Sequence, residues 1–213
     1  MKTGAPRLFR RFISLAAAGI LAVLLTACTA SGGGYLPPGP TASDTFPTTV
    51  FTGKASFGFH FSCEDKGGLN PPTGQLRLHL TYTDHGTSQL LGAPFSIHGS
   101  ADELDPVLES MVCIGQNPPE PVPNELIFLG TYRPTTPPPP GLPSMCPRRE
   151  TPMSPLCLFE VIVRDNDGNL AGSKGDFFSI KLSSATAVTS VLDPATVFYA
   201  RAGYLAGGNL TVK

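Results

Sequence analysis

The sequence has no tryptophan, and only 15% of its residues are charged. Its charges nearly cancel, with 15 Lys and Arg against 16 Asp and Glu. Without a basic excess there is no electrostatic footprint for nucleic acid. Catalytic signatures are missing too: there is no G-x-S-x-G, no P-loop and no H-E-x-x-H. Asp84-His85 with one of many serines is the nearest approach to a triad, and Asp-His-Gly reads first as a turn. The close cysteine spacing of a structural zinc site is absent, and no cofactor is implied. Helical patterning is scarce, with Ala101–Ser110 the one stretch suited to a turn or two. No apolar run is long and clean enough for a spanning helix, which needs about 20 residues.

What is present begins at the N-terminus. Lys2, Arg7, Arg10 and Arg11 precede an apolar stretch from Phe12 to Leu25, and small residues follow. That order is a secretory signal. Leu25-Thr26-Ala27-Cys28 resembles the lipobox of bacterial lipoproteins. The resemblance implies a signal peptide at 1–27, cleavage before Cys28, acylation of Cys28, and a lipid-anchored location on the extracytoplasmic face of the cell membrane. Several acyl chains on one residue anchor stably where a single chain does not. Arg10-Arg11 before Phe12 also fits twin-arginine export, although paired arginines are common in such regions.

Residues 28–47 are Gly, Pro, Ser and Thr with one charge, Asp44. Such a stretch buries little apolar surface and reads as a flexible tether. Loss of the signal removes four basic residues and no acidic one, leaving 11 against 16, or −5. With no polybasic segment left, the acyl group alone is expected to hold the protein to the membrane.

The remaining 48–213 has the size of one domain. It holds Cys63, Cys113, Cys146 and Cys157, an even set that argues for two disulfides in an exported chain. Three pairings exist, and Cys63–Cys113 with Cys146–Cys157 is favoured. The second pair brackets a proline-rich loop. The first would close about 50 residues, worth on the order of 4 kcal/mol.

The fold expected is all-β, an antiparallel β-sandwich or open barrel with a proline-rich insertion at 117–155. Ala55, Phe57, Phe59, Phe61 and Cys63 alternate with small or polar residues, as do Leu76, Leu78, Leu80 and Tyr82. That period of two marks half-buried strands at 55–63 and 75–83. Further strands are expected at 94–100, 125–132, 158–164, 177–183, 196–200 and 209–212. Gly- and Asn-rich turn signals separate them. The prolines at 118, 119, 121, 123 and 137–140 favour polyproline II, either as a partner's ligand or as a stiff loop.

Several pieces together resemble a bacterial secreted β-domain family of unknown function, often found as C-terminal modules of exported proteins. They are Gly53-Lys54-Ala55-Ser56-Phe57-Gly58-Phe59, Gly74-Gln75-Leu76, Tyr82-Thr83-Asp84-His85 and Phe95-Ser96-Ile97-His98-Gly99. The series continues with Phe159–Asn166, Asp176–Ile180 and Gly207–Leu210. The resemblance spans roughly 51–213, and its cysteine pair matches Cys146 and Cys157. It implies fold and location but no activity, and the proline-rich insertion departs from it.

Two chemical sites are candidates. If strands 55–63, 75–83 and 94–100 form consecutive hairpins, His60, His79 and His98 share the outer face. Pairing 60 with 79 and 79 with 98 would place three imidazoles abreast for zinc or copper. Against that, a register slip separates the rings, and strand spacing sets the outer two far apart. Asp165 and Asp167, with Asp176 beyond, offer carboxylates for calcium. A hairpin turn explains Asn166-Asp167-Gly168 as well, and Leu170 breaks the EF-hand pattern. The leading expectation is therefore a noncatalytic envelope module that binds or scaffolds an envelope protein partner. A metal-binding lipoprotein using the histidine row is the alternative.

Overall fold

The computed structural model describes residues 28–65, 74–86, 93–101, 124–134, 156–166, 175–185 and 192–212. The strands are β1 (Cys28–Leu36), β2 (Gly39–Pro40), β3 (Val50–Phe51), β4 (Ala55–Asp65), β5 (Gly74–Asp84), β6 (Phe95–Ser100), β7 (Glu125–Pro134), β8 (Leu156–Arg164), β9 (Phe177–Ala185), β10 (Val197–Tyr204) and β11 (Gly207–Val212). A 3₁₀ turn at Pro194–Thr196 precedes β10, with Asp193 accepting from the Ala195 amide as its N-cap.

Nine strands form one antiparallel sheet in the order β10-β9-β8-β7-β6-β5-β4-β1-β11. From β4 to β10 it is a meander, each strand paired with the next in sequence. The sheet curls into a half-barrel, and the all-β expectation holds. Each expected strand is there.

Alternation decides which residues go inside. Phe57, Phe59 and Phe61 of β4 point inward and are buried, as are Leu78, Leu80 and Tyr82 of β5. Because the sheet curls, these rings meet strands from the far wall. Phe57 stacks on Phe178 of β9 with centroids 3.7 Å apart, and Phe59 and Phe61 each lie 5.4 Å from Phe128 of β7. Offset and tilted aromatic contacts of this kind add to plain area burial. Phe159 of β8 fills notches left by two inward glycines. A Cβ on Gly99 or Gly130 would stand 2.5 or 2.6 Å from its ring.

The tether expected at 28–47 is overturned. Residues 28–36 are β1, paired to β4 on one side and β11 on the other. Glycine here serves close approach rather than flexibility. A Cβ on Gly32 would lie 2.5 Å from the Asn209 carbonyl, and one on Gly34 would strike the Gly207 carbonyl. Gly208 opposite has φ +111, a backbone region that side chains disfavour. Polar composition hid the strand because two neighbours, not side-chain burial, hold it.

Residues 37–49 do not hang free either. The Thr41 amide donates to the Thr49 carbonyl, closing the β2–β3 hairpin. Thr41 Oγ1 accepts from the Ala202 amide at 2.8 Å, and the Ala42 amide donates to the Ala202 carbonyl at 2.9 Å. Asp44, the lone charge of the supposed tether, lies 3.5 Å from Lys181 of β9. The segment thus runs along the free edge of β10 and covers it.

Of the proline-rich stretch 117–155, residues 125–134 are β7, a core strand. The remainder, the signal peptide 1–27 and the turn at 102–110 lie outside the described residues.

Candidate functional site

The densest set of ionisable groups lies inside the barrel's end. Asp84 ends the inward alternation of β5, and Arg201 sits on that of β10. They are 1% and 2% exposed. Arg201 Nη1 donates to Asp84 Oδ1 at 3.0 Å, while its Nη2 donates to the Pro37 and Gly53 carbonyls at 2.9 and 2.7 Å. Its guanidinium lies 4.3 Å from the Phe51 ring centre. Asp84 also accepts from the Gly86 amide and, at 2.7 Å, from the Tyr199 hydroxyl. The Tyr82 and Tyr199 hydroxyls are 2.5 Å apart.

These groups have a fixed division of labour. Burial, reinforced by the Asp84 charge, pushes the Tyr82 hydroxyl far above its ordinary value. Burial does the same to Tyr199, helped by Tyr82 and Asp84. Both tyrosines therefore stay neutral donors and acceptors at any physiological pH. The cluster bonds β10 to β5 and to the carbonyls that follow β1 and β3. It is a latch across the barrel mouth. A shallow cavity of about 300 Å³ opens beside it, lined by Pro37, Pro38, Phe51, Arg201 and Tyr204 among others. Sequence reading passed over this cluster. One charge of each sign at inward positions of two strands was the available signal.

The triad-like Asp84-His85 resolves differently. His85 Nε2 does lie 2.8 Å from Ser56 Oγ, in an exposed position. The carboxylate that should orient the imidazole turns the other way, into the barrel, and bonds Arg201, Tyr199 and Gly86. Strand alternation forces this, since consecutive residues face opposite sides. A serine and a histidine meet, but the third member serves the latch.

The histidine row is half formed. His60 is the register partner of His79, as expected. His98, however, pairs with Thr81, and His79 pairs with Ser100. The three imidazoles share the outer face but are not abreast. His79 and His98 meet only diagonally, with ring centroids 6.2 Å apart. No group of three or more His, Cys, Asp or Glu suited to a metal ion occurs among the described residues.

The carboxylates considered for calcium are occupied by backbone. Asp176 accepts from the Asn166 amide at 3.1 Å and from the Leu210 amide at 2.8 Å. Asp165 accepts from the Val212 amide at 3.3 Å. Both thus cap the free side of β11, and Asp167 lies outside the described residues. Cys157 is disulfide-bonded. Cys113 and Cys146, and the side chains of Cys28 and Cys63, lie outside those described.

No family model matches the chain, and no curated protein or solved structure matches it either.

Proposed function

We propose that the chain is a lipid-anchored module of the bacterial envelope, held by acylated Cys28 on the extracytoplasmic face, with a binding or scaffolding role and no catalysis of its own. The observation that carries this reading is that Cys28 is both the cysteine of the Leu25-Thr26-Ala27-Cys28 lipobox and the first residue of β1. A cut before it removes nothing that the described sheet uses. The noncatalytic part draws support from the latch, where the most buried ionisable groups bond one another and backbone carbonyls. The resemblance to secreted β-domains agrees with location and fold class. The ligand is expected to be an envelope protein.

The test is the mass of the N-terminal peptide of protein extracted from bacterial membranes. It should begin at Cys28 and carry diacylglycerol. Cys28→Ser should shift the protein to the soluble or uncleaved fraction. An unmodified Cys28 in the mature protein would sink the reading.

A further inference from the structure

With no tether, a barrel whose first strand begins at an acylated residue must rest on the bilayer, and one of its faces suits that surface. All four histidines of the chain lie on the outer side of β4–β6 or the turn after β5, and all four are exposed. The register sets them in rows measured from Cys28. Thr29, Ser62 and Arg77 form the first row, and Ser31, His60, His79 and Ser100 the next. Gly33, Gly58, Thr81, His98 and Arg133 follow. At about 3.3 Å per residue these rows stand roughly 3, 10 and 17 Å along the strand from the anchor.

The signs of charge decide what this face takes. Arg77 is exposed two positions from His79, and the exposed Arg133 stands opposite His98. Lys54 lies over the Tyr35 ring at 5.8 Å, toward the far end. The other described outward positions on β4–β6 are serine, threonine and glycine, with no carboxylate among them. The nearest on the same alternation is Glu64, in register with Gln75 at the strand end, and its side chain lies outside those described. Arginines beside imidazoles repel a metal cation and attract anions. The remainder of a mature chain of net charge −5 repels an anionic surface, so this face alone is drawn to one.

Resting on the anchored reading above, we propose that the outer face of β4–β6 lies against anionic phospholipid headgroups of the bilayer that holds Cys28, and binds them more tightly as the pH falls. Histidine gains its charge between about pH 8 and 5. Each cation near an anionic surface strengthens association about fivefold. The sequence showed no polybasic run because the charges come from separate strands and are gathered only by register.

The test uses protein extracted from membranes, with the acyl group on Cys28 first checked by mass, which judges the anchor by itself. The protein is placed in phosphatidylcholine vesicles with or without phosphatidylglycerol, and imidazole carbethoxylation by diethyl pyrocarbonate is read peptide by peptide. His60, His79 and His98 should react several-fold more slowly on the anionic vesicles at about pH 6, with the contrast shrinking toward about pH 8. Combined Arg77→Glu and His79→Glu substitution, at exposed positions, should abolish the protection of His60 and His98. Equal rates on both vesicle types overturn the proposal. So does protection that grows with protein concentration in detergent, which would assign the face to a second copy. If Cys28 proves unacylated, cosedimentation of the same protein with anionic but not neutral vesicles still supports the face, and its absence overturns it.

Discussion

Arg201 of β10 reaches Asp84 of β5 across the mouth of the half-barrel, Nη1 to Oδ1 at 3.0 Å, and neither residue is more than 2% exposed. These two strands are six places apart in the sheet order, so the pair joins regions that strand pairing leaves separate. A buried ion pair adds little over apolar packing, but breaking one leaves a desolvated charge. Arg201→Met should therefore cost about 3–5 kcal/mol in urea unfolding. Arg201→Met with Asp84→Leu should recover much of that loss. If the double variant is no more stable than the single, the pair is not the source of the cost.

The same cluster sets an alkaline limit. Tyr82, Tyr132 and Tyr199 are all held above the ordinary tyrosine value of 10.0, chiefly by burial. In the unfolded chain they release their protons near that value; in the folded one they keep them. Their contribution is thus complete below about pH 10 and is lost as the pH rises beyond it, by about 1.4 kcal/mol per tyrosine per pH unit. Spectrophotometric titration should show three of the five tyrosines ionising only together with unfolding. Ionisation of all five while the near-ultraviolet dichroism stays native would contradict this.

Much of the architecture was legible because half-buried strands write a period of two into the chain. Phe57-Gly58-Phe59-His60-Phe61 is such a line, and its faces are those of the structure. β1 was not legible. Its Gly32-Gly33-Gly34 carries no pattern of hydrophobicity, and its place depends on two partner strands from opposite ends of the sequence. The histidine row shows a finer limit. Alternation put His60, His79 and His98 on one face correctly, but the β5–β6 register differs by two residues from the one that would line them up. A shift of two leaves every side chain on its own face, so hydrophobic patterning cannot detect it.

The glycines of β1 should be sensitive in proportion to what lies beside them. Gly32→Ala puts a methyl 2.5 Å from the Asn209 carbonyl and 2.8 Å from the Leu210 side chain, both on β11. Gly58→Ala meets only Thr81 Oγ1, at an ordinary 3.4 Å. The first should cost about 1–3 kcal/mol, as overpacking does, and speed hydrogen exchange across β11. The second should stay within about 0.5 kcal/mol. Equal effects would mean that β11 does not approach β1 as closely as the structure shows.

Asp176 carries the last expectation. β11 is an edge strand, and an unpaired edge is a template for joining another chain. Here one carboxylate oxygen of Asp176 takes the Leu210 amide on that free side, while the other takes the Asn166 amide after β8. Asp165 does the same for Val212. Asp176→Ala removes both bonds of the better-placed cap and should cost about 1–3 kcal/mol. Exchange at the Leu210 amide should accelerate well beyond that at core amides such as Val161, and the variant should aggregate at lower protein concentration. Asp176→Asn keeps an acceptor oxygen and should fall between the two. A calcium-binding role makes the opposite forecast, because wild-type stability would then drop on chelation and the alanine variant would lose that response. Unfolding midpoints of the wild type with and without chelator, set beside the exchange rate at Leu210, separate an edge cap from a metal ligand.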